Sequence, residues 1–147
     1  MNPITLFTIG FAGKSAEEFF EALHQAGVRR LVDVRLNNRS QLAGFTKSRD
    51  LKYFLRTIAD IEYVHEPSLA PTKEILDAYK KKRIDWHSYE SQFRGLLQER
   101  EPAKGLQHDD FDHACLLCSE PTPDHCHRRL VAEYLNREWE AVRIEHL

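Results

Sequence analysis

The stretch ITLFTIGFAGKSAEEFFEALHQAGVRRLVDVR, residues 4–35, decides the fold. It opens on a short apolar, β-branched run from Ile4 that closes at Gly10, the pattern of a buried strand. Ser15, followed three residues later by Glu18, makes a capping box, and Phe19, Phe20 and Leu23 form a helical apolar stripe that stops at Gly27. Leu31, Val32 and Val34 then mark a second buried strand over residues 29–35, with Asp33 and Arg35 near its end. A strand, a helix and a second strand in this order favour a parallel pair, because the helix carries the chain back to the starting edge.

The alternation continues outward. Residues 36–46 are polar and irregular, longer than an ordinary connection, and read as a binding loop. A helix from about Ser48 carries Leu51, Phe54, Leu55 and Ile58, and residues 61–65 read as a third strand. Residues 73–100 form two helical pieces broken near Ile84, the second capped by Asp85 and carrying Trp86, Tyr89, Phe93, Leu96 and Leu97. A polar linker over residues 101–112 leads to a fourth strand, residues 113–118. Thr122 and Pro123 then open the last long helix, with Leu130, Val131, Tyr134 and Leu135 facing the core. Residues 141–144 complete the series as an edge strand. With no internal repeat and no inter-domain linker, the expectation is a single α/β domain over residues 1–147, a mostly parallel sheet of about five strands flanked by helices.

Composition bounds the function. The chain has 147 residues, 41% hydrophobic and 30% charged, which places it among globular proteins. Its formal net charge of −2 supplies no global field toward nucleic acid or acidic membranes, so any such contact needs a local basic patch. No apolar run reaches the ~20 residues of a membrane span, and the N-terminus lacks the features of a signal peptide. The three cysteines all lie between positions 115 and 126, unlike the spread pairs of a secreted disulfide framework. The expectation is a cytoplasmic protein with reduced thiols and no membrane partner.

In open α/β sheets ligands bind at the carboxyl ends of the strands. Here that rule gathers Thr8 and Gly10, Asp33 and Arg35, His65 and Glu66, and Cys118 with Glu120. The densest signal is the run from Cys118 to Arg128. With Thr122 as N-cap, Cys126 falls near the first turn of the helix, where the dipole and Arg128 favour thiolate. His127 shares a face with Leu130 and Val131 and should lean toward Cys118, giving a nucleophile and a base with Cys126 as a second thiol. Burial of both cysteines as small hydrophobes is the alternative.

Other motifs carry less. Zinc would draw on Cys115, Cys118, Cys126 and His127, but a strand sends Cys115 and Cys118 to opposite faces, so no metal and no cofactor are expected. Gly10-Phe-Ala-Gly13-Lys14-Ser15 is too short for a triphosphate-binding loop and leaves only weak anion binding. The run from Lys80 to Arg83 reads as a solvated helix end, and the segment from His108 to His113 as a polar loop. Arg35, Arg39, Arg49 and Arg128 form a set able to clamp a phosphate or carboxylate.

Taken together, these residues resemble a known family, the widespread prokaryotic domain of unknown function 488. The resemblance rests on Thr8-Ile9-Gly10, on the Leu31–Arg35 segment with Arg39, Ser40 and Phe45, and on Tyr63, His65 and Pro67. Trp86, the Leu117–Glu120 segment and Cys126-His127-Arg128 complete it. It implies a compact α/β fold and a shared site of Arg35, Cys118, Glu120, Cys126, His127 and Arg128. Two departures stand out: Phe11 replaces a frequent His, and Leu36-Asn37-Asn38 replaces a more proline-rich loop.

Three functions follow. The first is an enzyme acting on a small anionic or nucleobase-like ligand, with Cys118 or Cys126 as nucleophile, His127 as acid or base, Glu120 beside them, and Arg35 and Arg128 holding the negative group. The second is a nucleic-acid-associated module using the arginine-bearing loop 36–46, whose binding would depend strongly on salt. The third is a redox-responsive protein forming a Cys118 to Cys126 disulfide, which needs Cα atoms within about 7 Å.

Overall fold

The computed structural model describes residues 2–38, 44–120 and 122–147. Five strands build one sheet: β1 (Ile4–Gly10), β2 (Arg30–Asp33), β3 (Glu62–His65), β4 (Ala114–Cys118) and β5 (Val142–His146). Their spatial order is β3-β2-β4-β1-β5, and every pairing is parallel, so the sheet is wholly rather than mostly parallel. The strand that comes fourth in sequence lies in the middle. Leu6, Val32 and Leu116 face one side, while Phe7, Ile9, Leu31, Cys115 and Leu117 face the other. This period-2 alternation gives the protein two apolar cores, one on each face of the sheet.

The first helix, α1 (Ala16–Ala26), seals the second of these faces with Phe19, Phe20 and Leu23. Its expected capping box is present: the Glu18 N–H donates to Ser15 Oγ at 3.1 Å, and the Ser15 N–H to Glu18 Oε1 at 3.0 Å. Gly27 ends the helix with φ 75°, a left-handed conformation that costs glycine little. The short helix α2 (Ser48–Phe54) adds Leu51 to the same core.

The opposite face is covered by α4 (Trp86–Arg100) and α5 (His127–Trp139), with α3 (Lys73–Lys80) against α4. Asp85 caps α4 as expected, accepting from the Ser88 N–H at 2.8 Å. Phe93 and Leu97 of α4 meet Leu130, Val131, Tyr134 and Leu135 of α5 over the sheet.

Three expectations need correction. The last helix does not begin at Thr122 and Pro123. A turn closed by the Cys126 N–H on the Pro123 carbonyl comes first, and Cys126, with φ −133° and ψ 138°, is the N-cap. His113 precedes the fourth strand rather than opening it, because its φ of 59° is incompatible with extended backbone. The segment 101–112 is no free linker: it folds into two 3₁₀ turns that bury Pro102 and Phe111. Among the described residues, no helix is long and apolar enough to cross a membrane.

Candidate functional site

Cys118 ends the central strand, in register with Gly10 of β1. Counting by twos from Ala114 and Leu116 puts its side chain on the face covered by α4 and α5, and Cys115 on the other. The start of α5 comes down onto the same spot. Cys118 and Cys126 are joined as a disulfide, with Cα atoms 7.1 Å apart. Cys118 Sγ also lies 3.5 Å from His127 Nδ1. All three side chains are buried.

The histidine's tautomer follows from its second contact. His127 Nε2 sits 2.7 Å from the Val34 carbonyl oxygen, which can only accept. Nε2 therefore carries the proton, and Nδ1 presents a lone pair to Cys118. Burial pushes the imidazole pKa down to about 4, so the ring is neutral near pH 7. The Cys115 thiol is also fully buried, and burial alone holds its pKa far above the ordinary thiol value.

Above the sulfurs a cleft of ≈ 140 Å³ opens at the carboxyl edge of the sheet. Its size matches one aromatic ring, given that a dry cavity of roughly 150 Å³ holds benzene. Tyr79, Trp86 and Tyr89 wall it, with Lys80, Arg35, Asn37 and Glu120 also on its lining. The His125 ring stacks on Trp86, with centroids 5.0 Å apart and planes at 23°. Trp86 also stacks on Tyr89, with centroids 5.1 Å apart and planes at 21°, so the three rings form one stacked wall.

Arg35 is held rigidly at the cleft. Its Nε and Nη2 donate to the two oxygens of Asp33 at 2.9 and 2.8 Å, and Nη2 also donates to the Thr46 carbonyl. Tyr63 donates to the same carboxylate at 2.6 Å, and the anion and burial together raise the phenol's pKa. Arg35 Nη1 is buried without a hydrogen-bond partner. The guanidinium lies over the Phe11 ring, 5.5 Å from its centroid.

The model of the family described as Domain of unknown function DUF488 matches residues 15–135 of this chain. The chain belongs to that family. Neither curated proteins nor solved structures supply a match. The departure at Phe11 acquires a structural meaning in this DUF488 protein, since an aromatic face there supports the Arg35 guanidinium.

Of the residues singled out in the sequence, Arg35, Cys118, Glu120, Cys126 and His127 line one cleft. Thr8, Gly10 and Arg128 lie behind it and act together. Arg128 is fully buried, donating from Nη1 to the Glu120 carbonyl at 2.6 Å and from Nε to Thr8 Oγ1 at 3.3 Å. Thr8 Oγ1 also meets His146 Nδ1 at 2.6 Å. Gly10 makes room for that Glu120 carbonyl, which a Cβ would overlap. Asp33 faces Arg35 and Tyr63, as described, and Arg39 lies outside the described residues. His65 donates from Nε2 to the Arg35 carbonyl at 2.8 Å and, with Arg49, lines a wider neighbouring groove.

Sequence reasoning missed the Val34 carbonyl and most of the aromatic wall. A backbone acceptor leaves no trace in a side-chain pattern. The spacing of Trp86 and Tyr89 in the first turn of a capped helix was a usable sign of the wall. His125 gave none, because its position depends on the turn that precedes α5.

Proposed function

We propose that this protein is a cysteine-dependent enzyme acting on a small, planar, anionic or nucleobase-like ligand in the aromatic cleft. The observation that carries this reading is the Cys118 Sγ to His127 Nδ1 approach of 3.5 Å, with the imidazole's other nitrogen tied to Val34. In the reduced protein the neutral imidazole accepts the Cys118 proton as the sulfur adds to a C=O or C=N carbon of the ligand, whose π electron pair moves onto the oxygen or nitrogen. The N-terminus of α5 favours thiolate at Cys126, and the unpartnered Arg35 Nη1 supplies a charge for a carboxylate or an oxyanion. Tyr79, Trp86 and Tyr89 give the cleft an aromatic lining suited to a planar ring.

A second reading, a redox-responsive protein, is favoured by the Cys118–Cys126 disulfide. The two readings are compatible, since joining the sulfurs removes the nucleophile. The nucleic-acid reading rests on the loop 36–46, whose Arg39 lies outside the described residues.

Mass-resolved alkylation against pH, on reduced and chelator-treated protein, tests the enzyme reading. Cys118 or Cys126 is expected to label well below the unperturbed thiol pKa of about 8.5, while Cys115 labels only on unfolding. His127→Ala is expected to slow Cys118 labelling about tenfold. If all three thiols resist until the protein unfolds, the enzyme reading fails.

A further inference from the structure

We infer that the reduced Cys118, Cys126 and His127 side chains form a three-ligand site for a tetrahedral thiophilic ion, Zn²⁺, with its fourth position open to the aromatic cleft. The inference does not depend on the cysteine acting as a nucleophile. The two sulfurs and His127 Nδ1 all lie within 4.8 Å of one another. Ligands at about 2.3 Å (sulfur) and 2.05 Å (imidazole nitrogen) on one tetrahedral ion stand roughly 3.6 Å apart. The Cys118 Sγ to His127 Nδ1 distance of 3.5 Å already meets that edge.

The outer shell fits as well. A ligating histidine donates its other ring N–H to a carbonyl or carboxylate, and His127 Nε2 does so to Val34 at 2.7 Å. The ring orientation and tautomer that a metal needs are thus set before any metal arrives. The cysteine Cα atoms are 7.1 Å apart, beyond the about 4.4–6.8 Å that most disulfides span. Parting the sulfurs around an ion therefore suits the backbone spacing. All three ligands line the cleft, so a water or a ligand atom can complete the shell. The opposite faces of β4 exclude only a zinc site that includes Cys115. Cys115 lies in the opposite core, and three residues suffice for an open site.

The ion, the disulfide and the free thiol pair exclude one another. Diamide converts the dithiol to the disulfide by taking two electrons and two protons, itself becoming the hydrazine, and leaves no thiolate to bind metal. The test is titration of the full chain, reduced and chelator-treated, with Co²⁺ and then Zn²⁺. Expected are one ion per chain, the intense visible absorption of tetrahedral thiolate-bound Co²⁺, and displacement by Zn²⁺. Cys118→Ser, Cys126→Ser and His127→Ala should each weaken Co²⁺ binding by roughly 100-fold or more, at or above the cost of losing an outer-shell partner. Cys115→Ala should bind as wild type does.

Diamide-oxidised wild type should bind no Co²⁺, and this arm needs no variant to fold. The inference is overturned if reduced wild type gives no tetrahedral signal, or if the oxidised protein binds equally well. Slow alkylation of metal-free protein would sink the enzyme reading and leave the metal site standing. Absence of the Co²⁺ signal with fast alkylation would do the reverse.

Discussion

Gly10 faces the Glu120 carbonyl and the Arg128 Nη1 that donates to it, both within reach of any Cβ added there. Any side chain at position 10 must push that carbonyl away and with it the segment that follows Cys118. Gly10→Ala is therefore expected to destabilise the protein by about 3 kcal/mol, the scale of overpacking at a site that cannot give. Urea denaturation of wild type and variant measures this, and a loss under about 0.5 kcal/mol, typical of a neutral surface change, would show that the loop yields freely. The importance of Gly10 was legible as a strand terminus but not as a contact, because its partner is a backbone atom 110 positions away. The cysteine and histidine of the site were legible for a simpler reason. Strand period and helix period together placed Cys118 and His127 on the same side of the sheet, and both periods are properties of the local chain.

The helices α4 and α5 bring the aromatic wall and the thiols together, and four charged groups link them. Arg129 donates to Glu90 at 2.8 Å and to Glu133 at 2.9 Å, and Arg94 reaches Glu133 at 2.9 Å. These groups are partly solvated, so the network's contribution is modest. A double-mutant cycle on Glu90→Gln and Arg129→Gln is expected to give a coupling of about 0.5–1 kcal/mol that fades in high salt. A coupling that is absent at low salt would mean that apolar packing alone sets the α4–α5 contact. At this scale the sequence was readable wherever a cap used a side chain. Ser15 with Glu18 and Asp85 with Ser88 gave correct helix starts. The start of α5 was misread because Thr122-Pro123 imitates a cap and a first turn. The actual N-cap, Cys126, makes no side-chain hydrogen bond to the helix, and it takes its extended backbone where it meets Cys118.

The two ends of the sheet divide the labour of the molecule. The candidate-site side chains gather at the carboxyl ends of the strands, whereas at the opposite rim Asp112 ties the turn before β4 to β1. Its Oδ1 accepts the Thr5 N–H at 3.0 Å, near the start of β1. That bond, helped by His113 and Arg29, lowers the carboxyl pKa below its ordinary value. In the unfolded chain the group titrates near 3.9. Between the folded value and 3.9 the unfolded state binds more protons, so stability rises with pH there. The contribution of the charged group is complete above about pH 5 and disappears as pH falls through the folded value. Asp112→Asn keeps an oxygen for Thr5 but removes the charge. It should lower the denaturation midpoint at pH 6, and the gap from wild type should close as pH falls toward 2. A gap that stays constant from pH 6 to pH 2 would assign the effect to packing rather than to ionisation. Because this rim lies at the far end of the strands from Cys118, thiol reactivity measured at pH 6 should be the same in Asp112→Asn and wild type.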